Sequence, residues 1–241
     1  MLCYRAWVET RWRFLICLTV MLLPSVLYFH ELGIFPMQHW TSDPHYAYGL
    51  LFGTHLPSIG IWTFAAVFLG LGGLLRERAV GTSTLTLTLP VSRAHVVGTR
   101  VGVGASETVA LALAPWIVNS SISLFERTPF SRAQAGWCVL LLVGGGLVYF
   151  ACAVLVSSVV EGEYTAAALM FALVYGIGYL ADHVSGFSAL NLYPLMSGTR
   201  YLDRNTNLFP GPMPWLGILA SSSASALMLL AAVTITRRRD F

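Results

Sequence analysis

Long apolar runs, separated by short polar interruptions, make up most of this chain. A helix rises about 1.5 Å per residue, so crossing a hydrocarbon core about 30 Å thick takes about 20 apolar residues. Six stretches qualify, at about 14–29, 50–75, 96–124, 135–159, 165–181 and 215–236. The pattern predicts an all-α integral membrane protein with six transmembrane helices in one domain over residues 1–241. The first run follows Arg5, Arg11 and Arg13 as a signal peptide would, yet no small-x-small cleavage site follows Leu27-Tyr28-Phe29-His30. It is therefore expected to stay as a permanent span.

The polar interruptions differ from one another. LCYRAWVETRWRF, before the first span, draws as an N-terminal amphipathic surface helix, with Trp7 and Val8 on one side and Arg5 and Glu9 paired four residues apart on another. Residues 182–214 end in FPGPMPW, which cannot continue a helix and predicts an external loop with room for a short re-entrant piece. The longest polar segment is RERAVGTSTLTLTLPVSRAHVVGTR, residues 76–100. Within it, Ser83 to Leu89 alternate with a period of two, a strand signal that Pro90 would end. An isolated strand has no partner here, and the alternative is a short helix or extended turn lying against another subunit, with Gly81 supplying a bend and Ser92 leading into the third span.

Composition sharpens this picture. Hydrophobic residues are 56% of the chain and charged residues 10%, outside the soluble balance of about a quarter charged. All 14 basic residues are arginine, which removes the P-loop and its obligatory lysine. Ten arginines fall on the side of both termini and of the 76–100 segment, against Arg127, Arg132, Arg200 and Arg204 on the other. Short cytoplasmic loops carry the basic excess, so both termini and the 76–100 segment are expected in the cytoplasm. Cys3, Cys17, Cys138 and Cys152 show no CxxC spacing and read as small packing residues.

Candidate chemistry is sparse. Glu107, with Thr108 and Asn119, places polar groups in the third span, and a carboxylate inside a bilayer costs several kcal/mol unless it faces protein, water or a partner. Glu107 could line a substrate path, make a structural hydrogen bond to a neighbouring span, or sit nearer the interface than the span boundaries suggest. His30, His39, His45 and His55 fall in the first external loop with Glu31 and Asp43, but their spacing fits no compact metal template, and no metal site is assigned. A rival reading, an intramembrane enzyme using Glu107 or these histidines with Asp43 and Asp182, requires the ionisable groups to converge in one cavity.

Arg76-Glu77, Gly81-Thr82, the leucines at 85, 87 and 89, and Pro90-Val91-Ser92-Arg93 resemble the first cytoplasmic loop of ABC-2 type transporter permeases. The departure is at Ser83, Thr84 and Thr86, where the family often has an acidic residue and more leucine, so contacts there would be hydroxyl hydrogen bonds. The resemblance implies a permease subunit of an ATP-driven exporter in the plasma (inner) membrane. The loop would form a short coupling helix between spans two and three, with Glu77, Gly81, Thr82, Leu85, Leu89, Pro90, Ser92 and Arg93 as the ATPase interface. Glu77 and Arg93 would make polar contacts there, and Leu85 and Leu89 the apolar ones. It also implies that this chain binds no cofactor and has no catalytic residue of its own, ATP and Mg being held by a separate ABC ATPase subunit. Further partners would be a second copy or a related permease and membrane lipid, with no nucleic acid.

Overall fold

The computed structural model describes residues 2–29, 58–71, 93–126, 131–160, 162–184, 191–198, 200–201, 209 and 211–238. The described residues form α1 (Leu2–Phe29), α2 (Ser58–Gly70), α3 (Arg93–Glu126), α4 (Arg132–Val159), α5 (Glu163–His183), α6 (Tyr193–Ser197) and α7 (Trp215–Arg238), with no strand among them. Four helices are long and apolar enough to cross a membrane, over His95–Leu124, Arg132–Val159, Tyr164–Ala181 and Trp215–Arg237. They match the expected third to sixth spans. The other two expected spans correspond to the second half of α1 and to α2, which has 13 residues and is not among the four.

The N-terminal segment departs from expectation. It is no separate surface helix but the first turns of one continuous 28-residue helix. No glycine or proline stands between Leu2 and Leu23 to interrupt it, and the expected Arg5–Glu9 pair forms at 3.2 Å along its surface. Of the cysteines, Cys17 and Cys138 are buried packing residues as expected, whereas Cys3 is exposed.

α4 is the hub. Ser131 caps its first turn by accepting from the Gln134 backbone N–H, and its middle carries Gly144, Gly145 and Gly146 in succession. Successive helical residues point about 100° apart, so three glycines bare three faces of the helix. Each bare face receives a different neighbour. A Cβ on Gly144 would come 2.8 Å from Ile218 of α7, one on Gly145 3.0 Å from Met196 of α6, and one on Gly146 would overlap the Trp62 ring of α2. Closer to the Val159 end, Gly70 of α2 meets Ala153, and Gly104 of α3 meets the Phe150 ring. Between lipid-exposed helices there is little hydrophobic driving force, so such close approach, through dispersion and hydrogen bonds, is what holds a bundle together.

Trp62 is fully buried and its indole N–H donates to the Thr108 carbonyl at 3.1 Å, joining α2 to α3 while its ring lies on α4. Ser221 of α7 donates to the Gly145 carbonyl at 2.9 Å. α6 is a five-residue helix within the expected external loop: Met196 and Ser197 are buried, and Gly198, at φ 69°, ends the helix in the left-handed conformation that glycine tolerates best. α5 is attached differently. Ala166 and Met170 pack against Val67, Leu71 and Ala153, but further along Tyr175 and Tyr179 are 73% and 64% exposed.

Gly146→Ala is expected to lower the melting temperature of the detergent-solubilised protein, at a cost of about 1–3 kcal/mol for overpacking. Gly136→Ala in the same helix, where a Cβ meets nothing within 4 Å, should be neutral or stabilising. Equal melting temperatures for the two variants would show that the glycine faces do not set the packing.

Candidate functional site

Chain direction places the polar groups. α1 and α3 run side by side in the same sense, with Glu9 near Arg100 and Thr10 near Glu107. α4 and α7 also run parallel to each other, Trp137 beside Trp215 and Gly145 beside Ser221. Gly104 against Phe150 sets α4 antiparallel to α3, so the start of α1 and the end of α7 lie at one end of the bundle. At that end are the helix positions of Arg5, Arg11, Arg13, Arg93, Arg100, Arg237 and Arg238, while Arg132 and Arg200 stand at the other. α2 finishes and α3 begins at the arginine-rich end, so the two points to which segment 72–92 is attached are both there.

Beside those attachment points lies a polar cluster. Arg100 Nη2 donates to Glu9 Oε2 at 2.8 Å, and Arg5 Nε donates to Glu9 Oε1 at 3.2 Å. The Arg100 side chain is only 12% exposed, so this bond is shielded on one side, although Glu9 at 39% remains open to solvent. About two turns beyond Arg100 along α3, Glu107 Oε1 accepts from Thr10 Oγ. That hydroxyl also lies 3.1 Å from the Ala6 carbonyl and 3.4 Å from the Trp7 carbonyl, so its single proton has three acceptors within reach. Glu107 is 4% exposed, and its Oε2 has no hydrogen-bond partner. A cavity of about 50 Å³ opens between Glu9, Arg100, Gly70 and Ser157, where α1, α2, α3 and α4 converge.

The residues expected to matter are only partly gathered here. Glu77, Gly81, Thr82, Leu85, Leu89, Pro90 and Ser92 lie outside the described residues, and Arg93 is the first residue of α3. Glu107, Thr108 and Asn119 are all buried on α3. They do not converge. Thr108 is satisfied within its own helix, donating to the Gly104 carbonyl at 2.8 Å, and Asn119 stands more than three turns beyond Glu107, its amide buried without a partner. Among the described residues no three His, Cys, Asp or Glu side chains come together. The histidines at 30, 39, 45 and 55, with Glu31 and Asp43, lie outside the described residues.

A family model described as ABC-2 family transporter protein matches residues 15–203. The chain belongs to this family. No curated protein and no solved structure matches it. As an ABC-2 family member it is a multi-pass membrane protein and a transporter subunit rather than an enzyme, of a kind that generally works with an ATPase subunit. The match runs from the middle of α1 past α6 and includes the whole 76–100 segment, leaving α7 outside it.

Sequence reasoning had paired Glu9 with Arg5 alone and missed its second partner, Arg100, which lies 91 residues away and carries no local signal. It also missed the Gly144–Gly146 run, although three glycines inside the most apolar segment were a readable sign of close backbone approach. Thr10→Val should destabilise this ABC-2 protein by about 1–3 kcal/mol, because it strips the bonded oxygen of a buried carboxyl group. The same substitution in a Glu107→Leu background should cost much less. Melting temperatures of the four proteins give the coupling, and an equal cost in both backgrounds would mean that the bond contributes nothing.

Proposed function

We propose that this chain is the membrane-spanning permease subunit of an ATP-driven ABC-2 type exporter in the plasma (inner) membrane. It works as two copies, or with a related permease, beside separate ATPase subunits that bind ATP and Mg. The observation that supports this most is that α2 ends and α3 begins at the same, arginine-rich end of the bundle, inside the region matched by the family. Basic residues favour the cytoplasmic side, where a soluble ATPase would be met. The Glu77–Arg93 stretch is the docking surface in this reading.

The described helices give that surface something to act on. Movement of two ATPase subunits would press on the ends of α2 and α3, which are tied together by the Trp62–Thr108 hydrogen bond. α1 would follow α3 through Glu9–Arg100 and Thr10–Glu107. α1, α2 and α3 thus form one body, whose rigid displacement carries the stroke across the membrane. α5, attached over only half its length, is the element against which that body shifts.

Co-purification from the native membrane tests the reading. A soluble P-loop ATPase is expected to accompany the unaltered chain in mild detergent and to be lost from the Glu77→Ala, Arg93→Ala double variant. A chain that emerges alone, or a double variant that keeps its ATPase, overturns the coupling assignment. A cysteine introduced at Thr86 of a cysteine-free variant should resist an impermeant thiol reagent in intact cells and react after permeabilisation. Reaction in intact cells would put the loop on the wrong side.

A further inference from the structure

α5 leaves a groove of about 550 Å³ between itself, α4, α6 and α7. Its walls are mostly apolar, with Asn191 and Ser221 also on them: Leu173 and Ile177 come from α5, Ala224 and Met228 from α7, and Cys152 from α4. The α7 wall runs from Gly217 to Met228, eleven residues and so about 16 Å along the axis, close to half of a hydrocarbon core about 30 Å thick. The groove therefore has the length of one leaflet.

Its end nearest Trp215 is different. There the turn after α6 closes with Tyr201 N–H donating to the Gly198 carbonyl at 2.8 Å, and the turn puts Arg200 and Tyr201 on the groove wall. The turn is held in place, since Gly198 is buried with Leu141 and Phe209 packed against its α-carbon, and its φ of 69° suits glycine. Arg200 is exposed, and among the described residues no carboxylate pairs with it. An apolar slot one leaflet deep, with an arginine at its headgroup end, has the charge and length of an anionic phospholipid.

We infer that this groove binds one anionic phospholipid, its acyl chain between α5 and α7 and its phosphate on the Arg200 guanidinium. Arginine suits this role because its planar fork meets phosphate oxygens two at a time. The inference requires a membrane protein but not the ATPase-coupling reading, and its test needs no partner subunit.

The full-length protein, delipidated in detergent, is offered equal phosphatidylglycerol and phosphatidylcholine, and retention is read by native mass spectrometry. Phosphatidylglycerol should be preferred about fivefold, the effect of one basic residue near a membrane surface. Arg200→Gln should bring the two lipids to parity, and Arg200→Lys should keep most of the preference. Ala224→Phe, which fills the groove, should lower retention of both lipids. Ala220→Phe, one turn earlier, provides a second block should the first variant melt early. Parity in the unaltered protein, or a preference that survives Arg200→Gln, overturns the phosphate contact. Undiminished retention in a folded groove-filled variant overturns the groove as the site.

Discussion

The indole of Trp62 rests on the bare backbone of Gly146, and most of the bundle depends on that contact. Any side chain at 146 would hold α2 off α4, and with it the indole N–H that reaches the Thr108 carbonyl on α3. Dispersion falls off steeply with separation, and lipid tails compete with side chains on equal terms, so a gap of a fraction of an ångström matters more here than in water. Gly145 and Gly144 extend the same logic to α6 and α7, which is why one helix can be packed from three directions at a single level. The run is unfavourable in local terms, since each glycine costs about 1 kcal/mol of helix propensity relative to alanine. Tertiary packing overrides it.

What the sequence made legible follows from how each signal is built. A membrane span is summed over about 20 residues, so α3, α4, α5 and α7 appear in the apolar pattern to within a few positions of their ends. The all-helical class follows from the same constraint, because a helix satisfies its backbone hydrogen bonds within one segment. The segment before the first span misled for a local reason. Its amphipathic character suits a surface helix, but the choice between bending along the membrane and continuing straight rests on Glu9–Arg100 and Thr10–Glu107, contacts across 91 and 97 residues. The alternation from Ser83 to Leu89, which lies outside the described residues, is equally local, since a period of two selects a strand only where a partner strand exists.

The candidate site was legible in type and not in geometry. A carboxylate at 107 in an apolar run announces that something must satisfy it, and here Thr10 of α1 satisfies one oxygen. Sequence could not say that Thr108, its neighbour, is occupied within its own helix, because that depends on the backbone carbonyl of Gly104 four residues earlier being within reach. Asn119 shares the type of Glu107 but not its circumstances, for its whole amide is buried without a partner among the described residues.

The polar contacts also divide the bundle mechanically. Between α1 and α3 they join charged or hydroxyl side chains one to one, with directional bonds that resist sliding as well as separation. Between α5 and its neighbours α2 and α4 the contact is apolar and lies in the first half of α5, from Ala166 to Val174, so it resists separation there and sliding very little. A load applied where α2 meets α3 would therefore move α1 to α3 together before it moved α5. In the proposed stroke, relative motion would appear at the half-attached helix, and the bundle grooves that flank α5 are where it would change volume. An aromatic ladder on that helix, with Phe171, Tyr175, Tyr179 and His183 at intervals of four, gives its exposed face two phenolic hydroxyls, on Tyr175 and Tyr179. Hydrocarbon offers those hydroxyls no partner, so the face is best satisfied against water, solute or protein.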